Sequence, residues 1–300
     1  MSARRKTVLI TGCSQGGIGD ALALEYHRRG LRVLASARNL TKVEHLKSLG
    51  IEVLELDVVD KASLKNAAQE VSNLTNNTLD ILVNNSGSGY MMPLLDADLD
   101  EARKIFDVNV WGTLAMCQAF TPLLAAAASH GLPARIVNIG SVTSRMQVPW
   151  QGVYNASKAA LHSMNDTLRI ELAPFGIDVL HVVTGGVRTN FFKNSSGAVL
   201  HEDSAYASAR DIIEADVAGK AATNTQTMST EKYAGIVVEN SLRRWPSKEM
   251  WIGGRATLSW LGNQFLPATI SDWIISNFMG WSFRGLKERV QPSGDKVAER

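Results

Sequence analysis

Along the first 183 residues, short runs rich in Val, Ile and Leu alternate with longer stretches whose apolar positions recur at helical spacing. The pattern predicts strands over Thr7 to Thr11, Arg32 to Ser36, Ile51 to Leu56, Leu79 to Val83, Arg135 to Ile139 and Ile177 to Val183. Between them it predicts helices over Gly17 to Arg29, Thr41 to Leu49, Lys61 to Leu74, Leu99 to Ala128 and Asn155 to Leu172. Strands alternating with helices of this length indicate βαβ units, hence an α/β fold with a doubly wound parallel sheet. Right-handed crossovers then put a ligand site at the carboxyl ends of the strands.

After Val183 the alternation stops. Residues 184–228 are irregular and rich in Ser, Thr, Asn and Ala. A loop region this long is usually functional, and it reads as the substrate loop. A helix is predicted over Ser229 to Arg243. Five of the seven tryptophans lie between Trp245 and Trp281, and from Ala256 to Phe283 only Asp272 carries a charge. Polar residues and Pro267 interrupt this stretch, so it is not a membrane span of about 18 apolar residues. Ile270, Ile274, Phe278 and Trp281 recur at helical spacing. Two readings stay open: an extension packed on the core or on a second subunit, and an apolar surface that touches a membrane or lids a greasy substrate. Gln291 to Arg300 reads as a polar, frayed terminus.

Composition narrows the picture. Lys and Arg number 31 against 29 Asp and Glu, which excludes the strongly basic face that nucleic acid requires. A chain of 300 residues buries enough apolar surface to need neither disulfide nor metal, and no metal site is predicted. Two distant cysteines, Cys13 and Cys117, fit a reducing compartment. The first apolar run, about five residues, is too short for the core of a signal peptide. The expected location is cytoplasmic, with peripheral contact to an intracellular membrane or lipid droplet left open through the tail.

Candidate chemistry begins between the first strand and first helix. Thr11-Gly12-Cys13-Ser14-Gln15-Gly16-Gly17-Ile18-Gly19 combines glycines, which let backbone approach a pyrophosphate, with a helix N-terminus that offers unpaired N–H groups. A tight turn alone would also use glycine; the strand before and helix after favour the phosphate loop. The second strand ends Ala35-Ser36-Ala37-Arg38-Asn39, without the acidic residue that binds a ribose 2′-hydroxyl. Arg38, with Ser14, suits a 2′-phosphate instead, so NADP(H) is the expected cofactor.

Tyr154 and Lys158 lie four apart on a predicted helix and share a face. Ser141 precedes Tyr154 by thirteen residues, and Asn109 lies in the long fourth helix. Reducing a ketone needs a proton for the oxygen while hydride reaches the carbon. A phenol has a reference pKa of about 10, and a nearby ammonium is expected to bring it down. A serine hydroxyl can hold the oxygen where charge develops.

With Asp57 after the third strand, Asn84-Asn85-Ser86-Gly87 after the fourth and Gly186-Val187-Arg188-Thr189 after the sixth, these pieces resemble the short-chain dehydrogenase/reductase family over roughly residues 6 to 243. The resemblance implies a Rossmann-type NADP-binding catalytic domain over 1–243, with 244–300 an extension on the same domain. It implies that Tyr154 is the general acid in reduction and Lys158 its tuner and a ribose ligand. Ser141 would position the substrate oxygen, and Asn109 would hold a proton-relaying water. Gly12, Ser14, Gln15, Gly17, Ile18, Arg38, Asp57, Val58, Asn85, Ser86, Gly87, Val187 and Thr189 would join Tyr154 and Lys158 around the cofactor.

Three departures bear on those assignments. The glycine loop is one residue longer than usual, Ser86 replaces an alanine, and Thr184-Gly185-Gly186 replaces a proline-glycine, which is expected to free that loop. The loop and apolar tail are similar to fungal acyl-dihydroxyacetone-phosphate reductase-like members and to reductases of fungal polyketide pathways. The leading expectation is an NADPH-dependent reductase of a lipophilic ketone or aldehyde, a small-molecule partner, with a homo-oligomer left open. The alternatives are an NADP-linked alcohol or hydroxysteroid dehydrogenase working oxidatively, and a non-catalytic NADP-binding sensor.

Overall fold

Seven parallel strands make one sheet in the order β3-β2-β1-β4-β5-β6-β7 in the computed structural model, which describes residues 4–189, 191, 199–217, 227–278, 286 and 289–290. The strands are β1 Thr7–Ile10, β2 Arg32–Ala37, β3 Glu52–Glu55, β4 Ile81–Asn84, β5 Ala134–Ile139, β6 Ile177–Thr184 and β7 Glu249–Ile252. The helices are α1 Ile18–Arg28, α2 Glu44–Ser48, α3 Lys61–Thr75, α4 Leu99–Phe106, α5 Thr113–Ser129, α6 Gly152–Glu171, α7 Arg210–Val217, α8 Thr230–Leu242, α9 Ala256–Phe265 and α10 Ala268–Phe278.

Alternate residues of each strand point to opposite faces, and both faces are covered, so the strands are apolar throughout. Val8 and Ile10 face a core with Tyr26 of α1 and Tyr233, Val237 and Val238 of α8. Leu9 faces the other core, with Leu64 and Val71 of α3 and Met116, Phe120 and Leu124 of α5. Asp60 fixes the start of α3 by accepting from Ala62 N and Ser63 N. Both cysteines are buried, Cys13 with its N–H donated to Ser36 O at 2.9 Å and Cys117 in the core face of α5.

The strand order reverses between β1 and β4, which creates a crevice at their carboxyl ends. Loops and α7 form a smaller apolar cluster of Met91, Met92, Trp150, Leu200, Ala209 and Ile213.

The six predicted strands and the helices between them are present. Leu99–Ser129 is apolar and long enough to cross a membrane, but half of it is buried and it serves as a core helix. It is not uniform: Asp107–Gly112 is a π-helical turn between α4 and α5. Helix α7 interrupts the segment expected to be irregular. The strand β7 was not predicted, and it pairs with β6. The expectation that Gly185-Gly186 frees its loop is corrected. Gly185 N donates to Ile252 O at 2.8 Å, and Gly186 and Gly254 exchange N–H···O bonds at 2.9 and 2.8 Å. A Cβ on Gly185 would stand 2.4 Å from Gly254 O, so glycine is what lets the two backbones touch. Trp281, Gln291 to Arg300 and the side chain of Phe278 lie outside the described residues.

Candidate active site

The loop after β1 turns on two left-handed glycines, Gly12 at φ 71° and Gly16 at φ 75°. Gly12 lies under the end of β4, where an added Cβ would sit 3.0 Å from Ser86 Oγ. Asn85 ties the two strand ends together: its side-chain amide donates to Thr11 O at 2.9 Å and Gly12 O at 3.0 Å. Thr11 Oγ1 in turn accepts from Asn85 N and Ser86 N at 3.0 and 2.9 Å. The Asn85 amide is thus committed to shaping the loop. Gly16 N donates to Asp20 Oδ2 at 2.8 Å, a clamp the sequence reading missed. Helix α1 opens at Gly17 with no side-chain cap, which leaves first-turn N–H groups for an anion.

Arg38 comes directly after β2, is exposed, and makes no hydrogen bond or ion pair with the described residues. Asp57 accepts from Val59 N at 3.1 Å. Val58 is buried, its Cγ2 2.8 Å from where a Cβ on Gly112 would stand. This glycine cradle, uncapped helix and free guanidinium fit a dinucleotide with a phosphorylated ribose. Val187 bridges to Met228, and Thr189 Oγ1 accepts from Phe191 N at 3.3 Å.

The four catalytic candidates come together at the other side of the crevice. Asn109 is fully buried in the π turn, a feature often found at functional sites. Its Oδ1 accepts from Ser88 N at 2.8 Å, and its Nδ2 donates to Ser88 O at 2.9 Å and Ser157 Oγ at 3.0 Å. Gly87 adjoins both it and the lysine: an added Cβ would lie 3.4 Å from Asn109 Oδ1 and 3.7 Å from Lys158 Nζ. Lys158 donates from Nζ to Ile139 O at 3.1 Å and stands 5.9 Å from the centre of the Tyr154 ring. Ser141 Oγ accepts from Thr143 Oγ1 at 3.0 Å and is hydrogen-bonded to Tyr154.

Burial acts on the two ionisable groups in opposite directions. It pushes the Tyr154 phenol up to about 12, only partly offset by the Ser141 hydrogen bond. It pulls the Lys158 ammonium down to about 8. The sequence reading expected the ammonium to lower the phenol. Desolvation outweighs that here, and Lys158 commits a donor to the Ile139 carbonyl.

A cavity of about 1380 Å³ runs alongside this cluster. Thr143, Gly152 and Asn155 line it, and Trp150, Tyr206 and Trp273 supply apolar wall. Ser141 and Tyr154 themselves do not line it. Trp150 and Tyr206 meet edge to face at 5.7 Å. Trp273 belongs to α10, so part of the apolar tail reaches the cavity wall.

Several of these roles lay below the reach of sequence spacing. Thr11 and Ser88 act through contacts between separate segments, and Asp20 and Thr143 through local side-chain contacts that spacing does not assign. Ser157 had one available signal, its place beside Lys158 on the face that carries Tyr154 and Lys158.

Comparison with known proteins bears on the family and the fold. The short chain dehydrogenase family model matches residues 6–199. A short-chain dehydrogenase of Penicillium ochrochloron, ptmH, is 46% identical over 241 residues, covering 80% of this chain and 86% of its own. An NADPH-dependent 1-acyldihydroxyacetone phosphate reductase of Schizosaccharomyces pombe is 42% identical over 212 residues, covering 69% of this chain and 70% of its own. A Burkholderia cenocepacia short chain dehydrogenase solved with NADP superposes with a TM-score of 0.66 at 25% identity, covering 91% of this chain and 99% of that one. Sheet order, family model and relatives converge: this chain belongs to the short-chain dehydrogenase family.

Proposed function

We propose that the chain is an NADPH-dependent carbonyl reductase acting on a lipophilic ketone or aldehyde. The observation that carries this reading is the buried Ser141–Tyr154–Lys158 cluster beside the glycine cradle. When bound, the dinucleotide supplies the hydride. Everything else falls to the protein's own side chains. Ser141 and the Tyr154 hydroxyl hold the carbonyl oxygen, and Tyr154 gives it a proton. A phenol held at about 12 keeps its proton at neutral pH, ready for the carbonyl oxygen. Lys158 positions the ribose and replenishes the proton, through a water relay beside Asn109. Arg38, with Ser14 and Gln15, holds the 2′-phosphate side. Gly17 lets the backbone approach the pyrophosphate while its own N–H donates to Ser14 O at 3.1 Å, and Ile18, in the uncapped first turn, offers an N–H group. Asp57, Val58, Ser86 and Gly87 flank the adenosine, and Val187 and Thr189 the nicotinamide end.

The apolar cavity and Trp273 support a hydrophobic substrate. The exposed side chains of Leu258, Phe265, Ile270 and Trp273 on α9 and α10 support peripheral contact with an intracellular membrane. A second subunit would use the same face. The test is NADPH oxidation with a panel of ketones, in the wild type and in Tyr154→Phe. Tyr154→Phe is expected to lose turnover by about 10²–10⁴-fold, the range for acid catalysis, with NADPH binding nearly unchanged. A variant that keeps more than about a tenth of the rate would remove Tyr154 from the acid's role.

A further inference from the structure

Three donors that no catalytic role uses meet behind Ser141. His162 lies one turn beyond Lys158 on α6, on the same face. His181 lies in β6, and Glu249 opens β7 directly opposite it in the parallel register. One ligand atom from each of the three falls within 4.8 Å of the others. Asp166, another turn along α6, brings Oδ2 to 3.8 Å from His162 Nε2.

Hydrogen bonding within this cluster is unbalanced. His181 is 1% exposed, yet neither ring nitrogen has a hydrogen-bond partner. Buried polar groups are rarely left so. His162 has too many partners instead. Ser144 Oγ donates to Ser141 O at 2.7 Å, so towards His162 Nδ1, at 3.1 Å, it must accept. Nδ1 therefore carries the proton and Nε2 the lone pair. Arg145 Nη2 stands 2.9 Å from Nε2, and Glu249 Oε2 stands 3.2 Å from the same atom. A proton placed there for the carboxylate faces the guanidinium; a lone pair left there for the guanidinium faces the carboxylate.

We propose that His162, His181 and Glu249 form a binding site for one divalent cation of the zinc class, with water in the fourth position, which the long side chain of Arg145 screens when the metal is away. The donor set is the two-imidazole, one-carboxylate combination that suits zinc. Ligand atoms of a tetrahedral site with bonds of about 2.0–2.1 Å lie roughly 3.4 Å apart, close to the His162–Glu249 separation. The outer partners are in place too. His162 donates its other nitrogen to Ser144, and Trp251 Nε1 holds Glu249 Oε1 at 2.7 Å, which leaves Oε2 for the metal. Arg145 is exposed, and its guanidinium marks where a cation already sits against the imidazole lone pair. Bound metal would tie β7 and β6 to α6 and steady Ser144 under Ser141.

Spacing along the chain does not reveal this site, because its donors come from three separated segments. The test is titration of tag-free, chelator-treated full-length protein with CoCl2, read by the visible absorption of tetrahedral cobalt, and with ZnCl2 by calorimetry. The wild type is expected to bind one equivalent and to melt at a higher temperature with metal. Glu249→Gln is expected to weaken binding at least about tenfold, since even outer partners cost 10–100-fold. Arg145→Ala, which removes the competing cation and no ligand, is expected to bind more tightly than the wild type. The inference is overturned if neither wild type nor Arg145→Ala shows the tetrahedral cobalt band. It is equally overturned if Glu249→Gln and His181→Asn bind as tightly as the wild type. Both readouts are independent of turnover.

Discussion

Lys158 carries a cost that its surroundings make measurable. Burial holds its ammonium near 8 in the folded protein, against an ordinary value of 10.5. Below pH 8 the group is charged in both folded and unfolded chains, and the native state bears the full desolvation cost. Between about 8 and 10.5 the unfolded chain binds more protons, so stability rises with pH through that window. The rise is at most about 3 kcal/mol, from the displacement at 1.36 kcal/mol per unit. Lys158→Met should abolish it, and denaturant titrations at pH 7.5 and 9.5, without cofactor, should show wild type gaining on the variant. An equal difference at both pH values would mean the lysine is not desolvated. Arg38 presents the opposite case, an exposed guanidinium without a partner among the described residues. A charge-assisted hydrogen bond contributes about 1.5–3 kcal/mol. Arg38→Ala should therefore weaken NADPH by about ten- to a hundred-fold and leave NADH unchanged, as read by fluorescence titration. Equal losses for both cofactors would assign Arg38 to loop structure.

Among the elements, the first six strands were legible because each is a continuous apolar run between turn residues. The strand β7 was not. Its four residues, Glu249-Met250-Trp251-Ile252, begin with a charge and are mostly half-exposed at the sheet edge, so no alternation marks them. Pairing with β6 makes it a strand, and that is a tertiary fact. The π turn was hidden for a different reason: apolar spacing runs unbroken from α4 into α5, and one extra residue per turn leaves no mark on it. That Asn109, Ser141, Tyr154 and Lys158 would meet was legible because each candidate is a distinctive side chain at a fixed place relative to a strand. The contacts that hold Asn109 were not, because they come from Ser88 and Ser157 on other segments. The junction of β6 with β7 supports a further prediction. Gly185→Ala would drive a methyl against Gly254 O, and overpacking of this kind costs about 1–3 kcal/mol. Gly262→Ala, in the open middle of α9, should instead stabilise by about 0.5–1 kcal/mol. Thermal melts of the two variants should move in opposite directions; a neutral Gly185→Ala would show the junction to be loose.

At the scale of the whole molecule, the sheet is complete at Ile252 and its glycine turn ends at Gly254. Beyond that turn, α9 and α10 bury only Ala256, Ser259 and Ile275 among their described side chains. Trp260 and Phe265 meet edge to face at 6.3 Å. The tail's composition was thus readable as unusual, while its division between cavity wall and open surface depended on how two short helices fold back. Truncation after Gly254 should leave the fold and NADPH binding intact. It should raise KM for long-chain ketones more than for short ones, through loss of Trp273 from the cavity. Unchanged kinetics on both would assign the tail to surface contact, and unfolding would assign it to the core.

The two buried cysteines have a consequence for how the molecule reports on itself. Burial holds both thiols up at about 12, so at neutral pH neither offers the thiolate that reagents attack. Modification must wait for the chain to open, and its rate becomes a clock for opening. The two clocks stand at different depths. Cys13 is set in the glycine loop after β1, the proposed pyrophosphate site, while Cys117 is locked in the heart of α5. A dinucleotide that clamps the loop slows the first clock directly. The second slows only as far as the whole domain is held shut. One chain thus holds a gauge of the cofactor's grip beside a gauge of global stability, with no label added.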